Sequence, residues 1–313
     1  MSERLRRESP LHPQVRAILD SVPPRPAWSS LSPAEVRLQP IELTAAPEPV
    51  GRVVQRAISG PGGSLWLRIY WPTSEGGPHP ALIYMHGGGW VFGSLDGTDR
   101  TCRAITNRAD CVVVSVDYRL SPETKFPGAL EDTYAALSWT VSSAPELKID
   151  GRRIAVGGFS AGGNLAAAVA LMARDRRRPV VAFQLLIMPI TDFRVATRSW
   201  DEFGDGPIWT RADANWSWGH YLAVPGDGDH PYASILRTPD LHRLPPALVV
   251  TGGCDPLRDE GEGYAERMRD AAVDVVVKRY EGMPHGFIGF PSLDEARKAV
   301  DEACVQLRLH VGN

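Results

Sequence analysis

The sequence predicts an α/β protein with a mainly parallel, doubly wound central sheet and helices on both faces. Three observations carry that prediction. From about residue 80 onward, strand-like and helix-like stretches alternate. Most of the strand-like runs are continuously apolar, as expected for strands covered on both faces. Ahead of them, Leu65, Leu67 and Ile69 alternate with Trp66, Arg68 and Tyr70. That period of two suits antiparallel strands with one solvated face.

Taken in order, residues 1–50 are rich in proline and charge, with one helix-like stretch from Pro13 to Leu19, and read as an appendage to the core. Val50 to Trp71 reads as the antiparallel strands, and Pro72 to Pro80 as a turn-rich connection. The predicted strands of the parallel sheet are Ala81–Met85, Cys111–Asp117, Ile154–Gly157, Val180–Met188, Ala247–Thr251 and Val275–Tyr280. Helices are predicted at about Asp99–Ala109, Ala129–Ser142, Ala161–Arg174, Asp259–Ala272 and Leu293–Leu309. One segment breaks the rhythm. Thr191 to Leu241 is far longer than the few residues that normally join such elements. It carries Trp200, Trp209, Trp216 and Trp218, and an aromatic insertion at the carboxyl edge of a sheet reads as a lid.

Composition narrows the function classes. The chain has 313 residues, 43% of them hydrophobic, enough for a large core. A formal net charge of -3 offers no concentrated basic face for nucleic acid or a membrane surface. The basic run Arg174 to Arg178 follows the Ala-rich helix, where it complements the negative end of the helix dipole. No apolar stretch approaches a membrane span, and the charged N-terminus lacks the apolar region of a signal peptide. Cys102, Cys111, Cys254 and Cys304 are scattered, which favours buried thiols in a reducing compartment over zinc or disulfides. A cytoplasmic protein without metal or cofactor is the expectation.

Gly158-Phe159-Ser160-Ala161-Gly162 has the form G-x-S-x-G between a predicted strand and a predicted helix. A serine there sits on a sharp turn, and flanking glycines relieve the crowding that exposes its Oγ. The competing reading is a serine that merely caps the helix. A serine hydroxyl needs a base, and the base needs an orienting group. Asp255 follows the strand Ala247–Thr251, and His285 follows Val275–Tyr280, so both emerge at the same sheet edge as Ser160. Singly, Asp255 could be a loop or helix cap and His285 a satisfied loop histidine. Together they stand in the order Ser…Asp…His expected of α/β-hydrolases. After Ala81–Met85 comes His86-Gly87-Gly88-Gly89-Trp90. A glycine triplet lets backbone N–H groups approach a developing oxyanion closely, with Ala161 supplying another. The alternatives are a flexible turn or a phosphate loop, and neither a following Lys-Ser/Thr nor a dinucleotide pattern supports the latter.

These motifs, with Asp117-Tyr118-Arg119-Leu120-Ser121-Pro122-Glu123, Gly163-Asn164-Leu165 and Asp255-Pro256-Leu257-Arg258-Asp259, resemble the bacterial hormone-sensitive-lipase-like (family IV) carboxylesterases across about residues 80–290. The resemblance implies an α/β-hydrolase fold with a sheet of about eight strands and a helical cap. The core would be residues 51–190 and 242–313, and the cap residues 1–50 and 191–241. It implies Ser160 as nucleophile, His285 as base and Asp255 as its orienter. Gly88, Gly89 and Ala161 would form the oxyanion hole, with His86 and Gly87 shaping the loop. Trp90, Phe159, Trp209 and Trp216 are the candidate substrate contacts. Two positions depart from the family: Phe159 stands where Asp or another small polar residue is usual, and Ser121 where Ala is usual.

The implied activity is hydrolysis of short- to medium-chain acyl esters through an acyl-enzyme. The same machinery could serve an amide, a lactone or an acetylated natural product. A non-catalytic ligand-binding protein on this scaffold is the reading from another class. The eight histidines show no H-E-x-x-H spacing, which argues against metal-dependent hydrolysis. The expected partner is a small ester, without nucleic acid or membrane insertion, and the family allows a homodimer formed through a sheet edge.

Overall fold

The strands β1 (Arg52–Gly60) and β2 (Gly63–Trp71) form a hairpin whose register closes at Gly60 and Gly63. Gly63 has φ +116°, a conformation that glycine adopts without a Cβ penalty. β3 (His79–Met85), β4 (Val112–Asp117), β5 (Ile149–Phe159), β6 (Phe183–Ile187), β7 (Ala247–Gly252) and β8 (Val275–Tyr280) complete the sheet. In this computed structural model, which describes residues 10–22, 26–39 and 47–312, the strand order is β1-β2-β4-β3-β5-β6-β7-β8. β2 runs antiparallel to β1 and to β4, and all later pairings are parallel.

The apolar runs explain the layers. Ile83, Val114, Val156 and Leu186 face one side of the sheet, with α4 (Gly128–Ser142), α6 (Ala161–Asp175) and α9 (Arg258–Asp270). Their neighbours Leu82, Val113, Ala155 and Leu185 face the other, with α3 (Leu95–Ala109) and α10 (Asp294–Val311). Strands covered on both sides need apolar residues at successive positions, which is the pattern read from the sequence. β2 corrects one expectation. Leu65, Leu67 and Ile69 are buried and Trp66 is half exposed, but Tyr70 on the second face is buried too. Its hydroxyl bonds to Asp99 Oδ1 of α3 at 2.9 Å, because that helix covers this end of the strand. A short α5 (Ala144–Leu147) leads into β5.

Between β6 and β7 the chain forms α7 (Arg198–Phe203) and α8 (Arg211–Tyr221) with two short 3-10 turns. Before β1 lie α1 (Pro13–Ser21), a 3-10 turn at Trp28–Ser30 and α2 (Pro33–Arg37). Residues 1–9, 23–25 and 40–46 of the expected cap segment lie outside the described residues. The short α2 has a complete capping box: Ser32 Oγ takes the Glu35 N–H, and the Glu35 carboxylate takes the Ser32 N–H. Its last residue, Arg37, donates to Val91 O at 2.8 Å, to Ser121 O at 2.6 Å and to both carboxylate oxygens of Glu123. That pairing holds the Glu123 carboxyl down at about 2. Trp90 is stacked on Tyr221 of α8, with centroids 4.1 Å apart and planes within 3°. No described helix is long and apolar enough to cross a membrane.

Candidate active site

Parallel strands deliver their carboxyl ends to one edge, and open α/β sheets bind ligands there. β3 leads into His86, β5 into Ser160, β7 toward Asp255 and β8 toward His285. Ser160 has φ 57° and ψ -118°, a backbone conformation that costs a non-glycine residue about 1–3 kcal/mol. Its surroundings hold it there. Its N–H donates to Ile187 O at 2.9 Å, and its carbonyl accepts from Asn164 N at 3.0 Å and Ile190 N at 3.3 Å. The flanking glycines are required by contact. A Cβ on Gly158 would lie 2.4 Å from Gly162 O, and one on Gly162 would lie 2.1 Å from Met85 O.

Ser160 Oγ is 3.0 Å from His285 Nε2, and His285 Nδ1 is 2.8 Å from Asp255 Oδ2. The other carboxylate oxygen of Asp255 accepts from Leu257 N at 2.8 Å. With Nδ1 protonated toward the carboxylate, Nε2 is left as the acceptor for the serine proton. Ser160, Asp255 and His285 are 2%, 0% and 5% exposed, so the chain of hydrogen bonds is shielded from solvent. Backbone bonds from Gly253 N to Tyr280 O and from Cys254 N to Met283 O tie the aspartate loop to the histidine loop.

The glycine loop bends sharply. Gly88 and Gly89 have φ +115° and +55°, and the N–H groups of Val91 and Phe92 both fold back onto Gly88 O at 3.0 Å. A Cβ on Gly88 would meet Phe92 O at 2.1 Å. Among the described residues, the N–H groups of Gly88, Gly89 and Ala161 take no protein acceptor. For Ala161 this follows from its place at the start of α6, where the first N–H groups of a helix have no intrahelical partner. Below the loop His86 is buried and stacked on Tyr118 at 4.2 Å, and the Tyr118 hydroxyl donates to His86 O at 2.9 Å. Burial pushes the His86 imidazole down to about 4, so it is neutral at physiological pH, with Nδ1 2.7 Å from Gly87 O.

The four predicted substrate contacts separate. Phe159 lies against His285 with centroids 5.1 Å apart, and it fills the space where a Cβ on Gly87 would come within 2.5 Å. Trp209 lies 5.7 Å from the His285 ring and reaches the glycine loop on its other side. Its outer neighbour is Trp28, edge-on at 5.6 Å, so the N-terminal turn and the insertion meet there. Trp90 is engaged elsewhere: its fully buried ring is taken up by Tyr221 and Trp218 and links the loop to α8. The Trp216 ring contacts His220 one turn along α8, because residues four apart share a helix face.

Sequence reasoning missed Glu260, which adjoins the Asp-Pro-Leu-Arg-Asp motif and is fully buried. Its carboxylate accepts from Thr191 N at 2.7 Å and Trp200 Nε1 at 2.8 Å, bolting the start of the insertion to α9. Burial, and secondarily the nearby Asp192, raise this carboxyl to about 8 despite those donors. A folded-state pKa above the unfolded value means that the unfolded state sheds the proton first. Stability from this group is therefore full below about 4.5 and is lost as pH rises toward about 8. Glu260→Gln is expected to flatten the fall in urea midpoint between those limits, while losing about 1–3 kcal/mol because its NH₂ replaces one of the two acceptor oxygens and leaves Thr191 N or Trp200 Nε1 unpaired. Parallel pH curves for variant and parent would contradict this.

Comparison with known proteins agrees with the geometry. Residues 82–289 match the family described as alpha/beta hydrolase fold. The chain is 42% identical over 266 residues to the carboxylic ester hydrolase LipN of Mycobacterium tuberculosis, covering 83% of this chain and 70% of that one. It is 39% identical to esterase LipI of the same organism over 96% of this chain and 95% of the relative. Among solved structures, the Pyrobaculum calidifontis esterase superposes with a TM-score of 0.90 at 42% identity, over 96% of this chain and 99% of that chain.

Proposed function

The chain belongs to the α/β-hydrolase fold family and is a carboxylic ester hydrolase, and from that premise we propose that Ser160 is its nucleophile, His285 its general base and Asp255 the orienter of that base. The observation that carries the proposal is the buried Ser160–His285–Asp255 hydrogen-bond chain. Ser160 Oγ attacks the ester carbonyl as His285 Nε2 takes its proton. The imidazolium, held by Asp255, returns that proton to the departing alcohol, and water then repeats the sequence on the acyl-enzyme. The N–H groups of Gly88, Gly89 and Ala161 are the donors proposed for the oxyanion, because they lack protein acceptors. His86 and Gly87 support the loop, Phe159 backs the imidazole and Trp209 roofs it.

The preferred substrates are short- to medium-chain esters, a reading supported by Trp209, which packs on His285 and is itself backed by Trp28 and, through it, Phe92. In this reading residues 51–190 and 242–313 form the core, and residues 1–50 and 191–241 a cap, as the Arg37 and Trp90 contacts support. Cytoplasmic residence is supported by four buried, unpaired cysteines. Pairing of two copies through an edge of the sheet, at β1 or β8, completes the reading, and sedimentation would reveal it. The direct test is labelling with a fluorophosphonate. A single adduct on the peptide containing Ser160 is expected, together with nitrophenyl butyrate turnover well above that of nitrophenyl palmitate. An adduct elsewhere, or none, would reject Ser160 as nucleophile.

A further inference from the structure

The wall facing the glycine loop holds two polar groups that the ester mechanism leaves unused. Ser217 Oγ, on α8, is fully buried and has no hydrogen-bond partner among the described residues. Trp209 Nε1 is likewise buried without a partner, in a side chain 2% exposed. Both side chains converge on Gly89: a Cβ placed there would come within 2.3 Å of Ser217 Oγ and 3.4 Å of the Trp209 ring. Trp209 also contacts His285, so this wall spans the distance from the glycine loop to the base.

A buried donor without an acceptor is costly, and native proteins pair nearly all such groups. Here Ser217 Oγ lies against a proposed oxyanion donor, and the Trp209 ring that carries the second unpaired donor reaches the same glycine through its Cη2. We propose that Ser217 Oγ–H and Trp209 Nε1–H form a polar subsite that binds an oxygen atom in the acyl chain, so that the enzyme favours esters of oxygen-substituted acids over plain alkanoates. The acyl side follows from the chemistry. His285 must face the departing alcohol oxygen to protonate it, which leaves the Ser217 end of the wall, at the glycine loop, for the acyl chain, with Trp209 reaching from there to the imidazole. A site built to hydrogen-bond an oxygen discriminates against a substrate that offers a methylene instead, because its donors then stay unpaired.

The inference rests on Ser160 being the nucleophile, and the experiment separates the two. Nitrophenyl methoxyacetate and nitrophenyl butyrate have acyl chains of the same length and differ by an ether oxygen in place of a methylene. Their ratio of kcat/KM is measured for the parent, Ser217→Ala and Trp209→Phe. The difference in intrinsic reactivity between the esters is common to all three proteins and cancels when the ratios are compared. Removing the hydroxyl or the indole N–H is expected to lower the methoxyacetate preference about tenfold, the worth of one hydrogen bond. A fall in either variant supports the subsite and identifies the donor. An unchanged ratio in both variants overturns it. Fluorophosphonate labelling of Ser160 in the same proteins shows whether the nucleophile assignment stands independently of that result.

Discussion

Replacing Ser160 by Ala is expected to lower kcat for nitrophenyl butyrate by about 10⁶-fold, with little change in the thermal midpoint. The loss is large because the variant keeps the His285–Asp255 bond and the glycine loop but has no atom to carry the acyl group. What survives is the modest acceleration that backbone donors give to attack by water. The fold is expected to survive because Ala has the same Cβ as Ser, and the backbone bonds from Ser160 to Ile187, Asn164 and Ile190 do not involve the hydroxyl. His285→Ala should cost about as much, and the double variant little more than either, since the pair acts as a unit. Steady-state rates with circular dichroism on the same samples check both halves. A variant within tenfold of the parent would dismiss the covalent mechanism.

Asp255→Asn should lower kcat about 10⁴-fold while leaving KM nearly unchanged. The two carboxylate oxygens have separate duties: one accepts the Leu257 N–H, the other the His285 Nδ1–H. An amide has a single oxygen. If that oxygen stays with Leu257, its NH₂ faces Nδ1 and drives the imidazole to the tautomer with the proton on Nε2. That nitrogen then cannot accept from Ser160, although the geometry is intact. The loss of the buried negative charge also leaves the imidazolium unsupported as it forms. A crystal structure of the variant with His285 in place, beside a collapsed kcat, is the expected pair of results; a rate loss below tenfold would show that the carboxylate is dispensable.

Much of this arrangement is legible before any coordinates, for definable reasons. Continuous apolar runs locate the parallel strands, and parallel strands necessarily bring their carboxyl ends to a common edge. Residues just beyond those ends, such as Ser160, Asp255 and His285, are therefore neighbours in space although far apart in the chain. The glycines are legible because their demand is steric and local. Gly158 and Gly162 are crowded by backbone that the turn itself brings close.

The aromatic insertion was legible only as a composition. Trp209 and Trp216 look alike in sequence, yet Trp209, in the loop just before α8, contacts His285, whereas Trp216, on the helix itself, contacts His220. Arg37, Glu260 and Ser217 carried no motif at all. Arg37 meets Val91, Glu260 meets Thr191 and Ser217 meets Gly89 only after elements distant in the chain have packed.

Fold class, the placement of the chemical groups along one sheet edge and the need for glycine around them can all be read from the chain. These follow from periodicity and backbone sterics, which act over a few residues. The tertiary structure alone decided what lies above the reacting groups: Phe159 against the imidazole, Trp209 as its roof, and Ser217 buried beside the glycine loop. Side-chain contacts between distant segments depend on packing to within an ångström, and no local pattern in the chain encodes that distance.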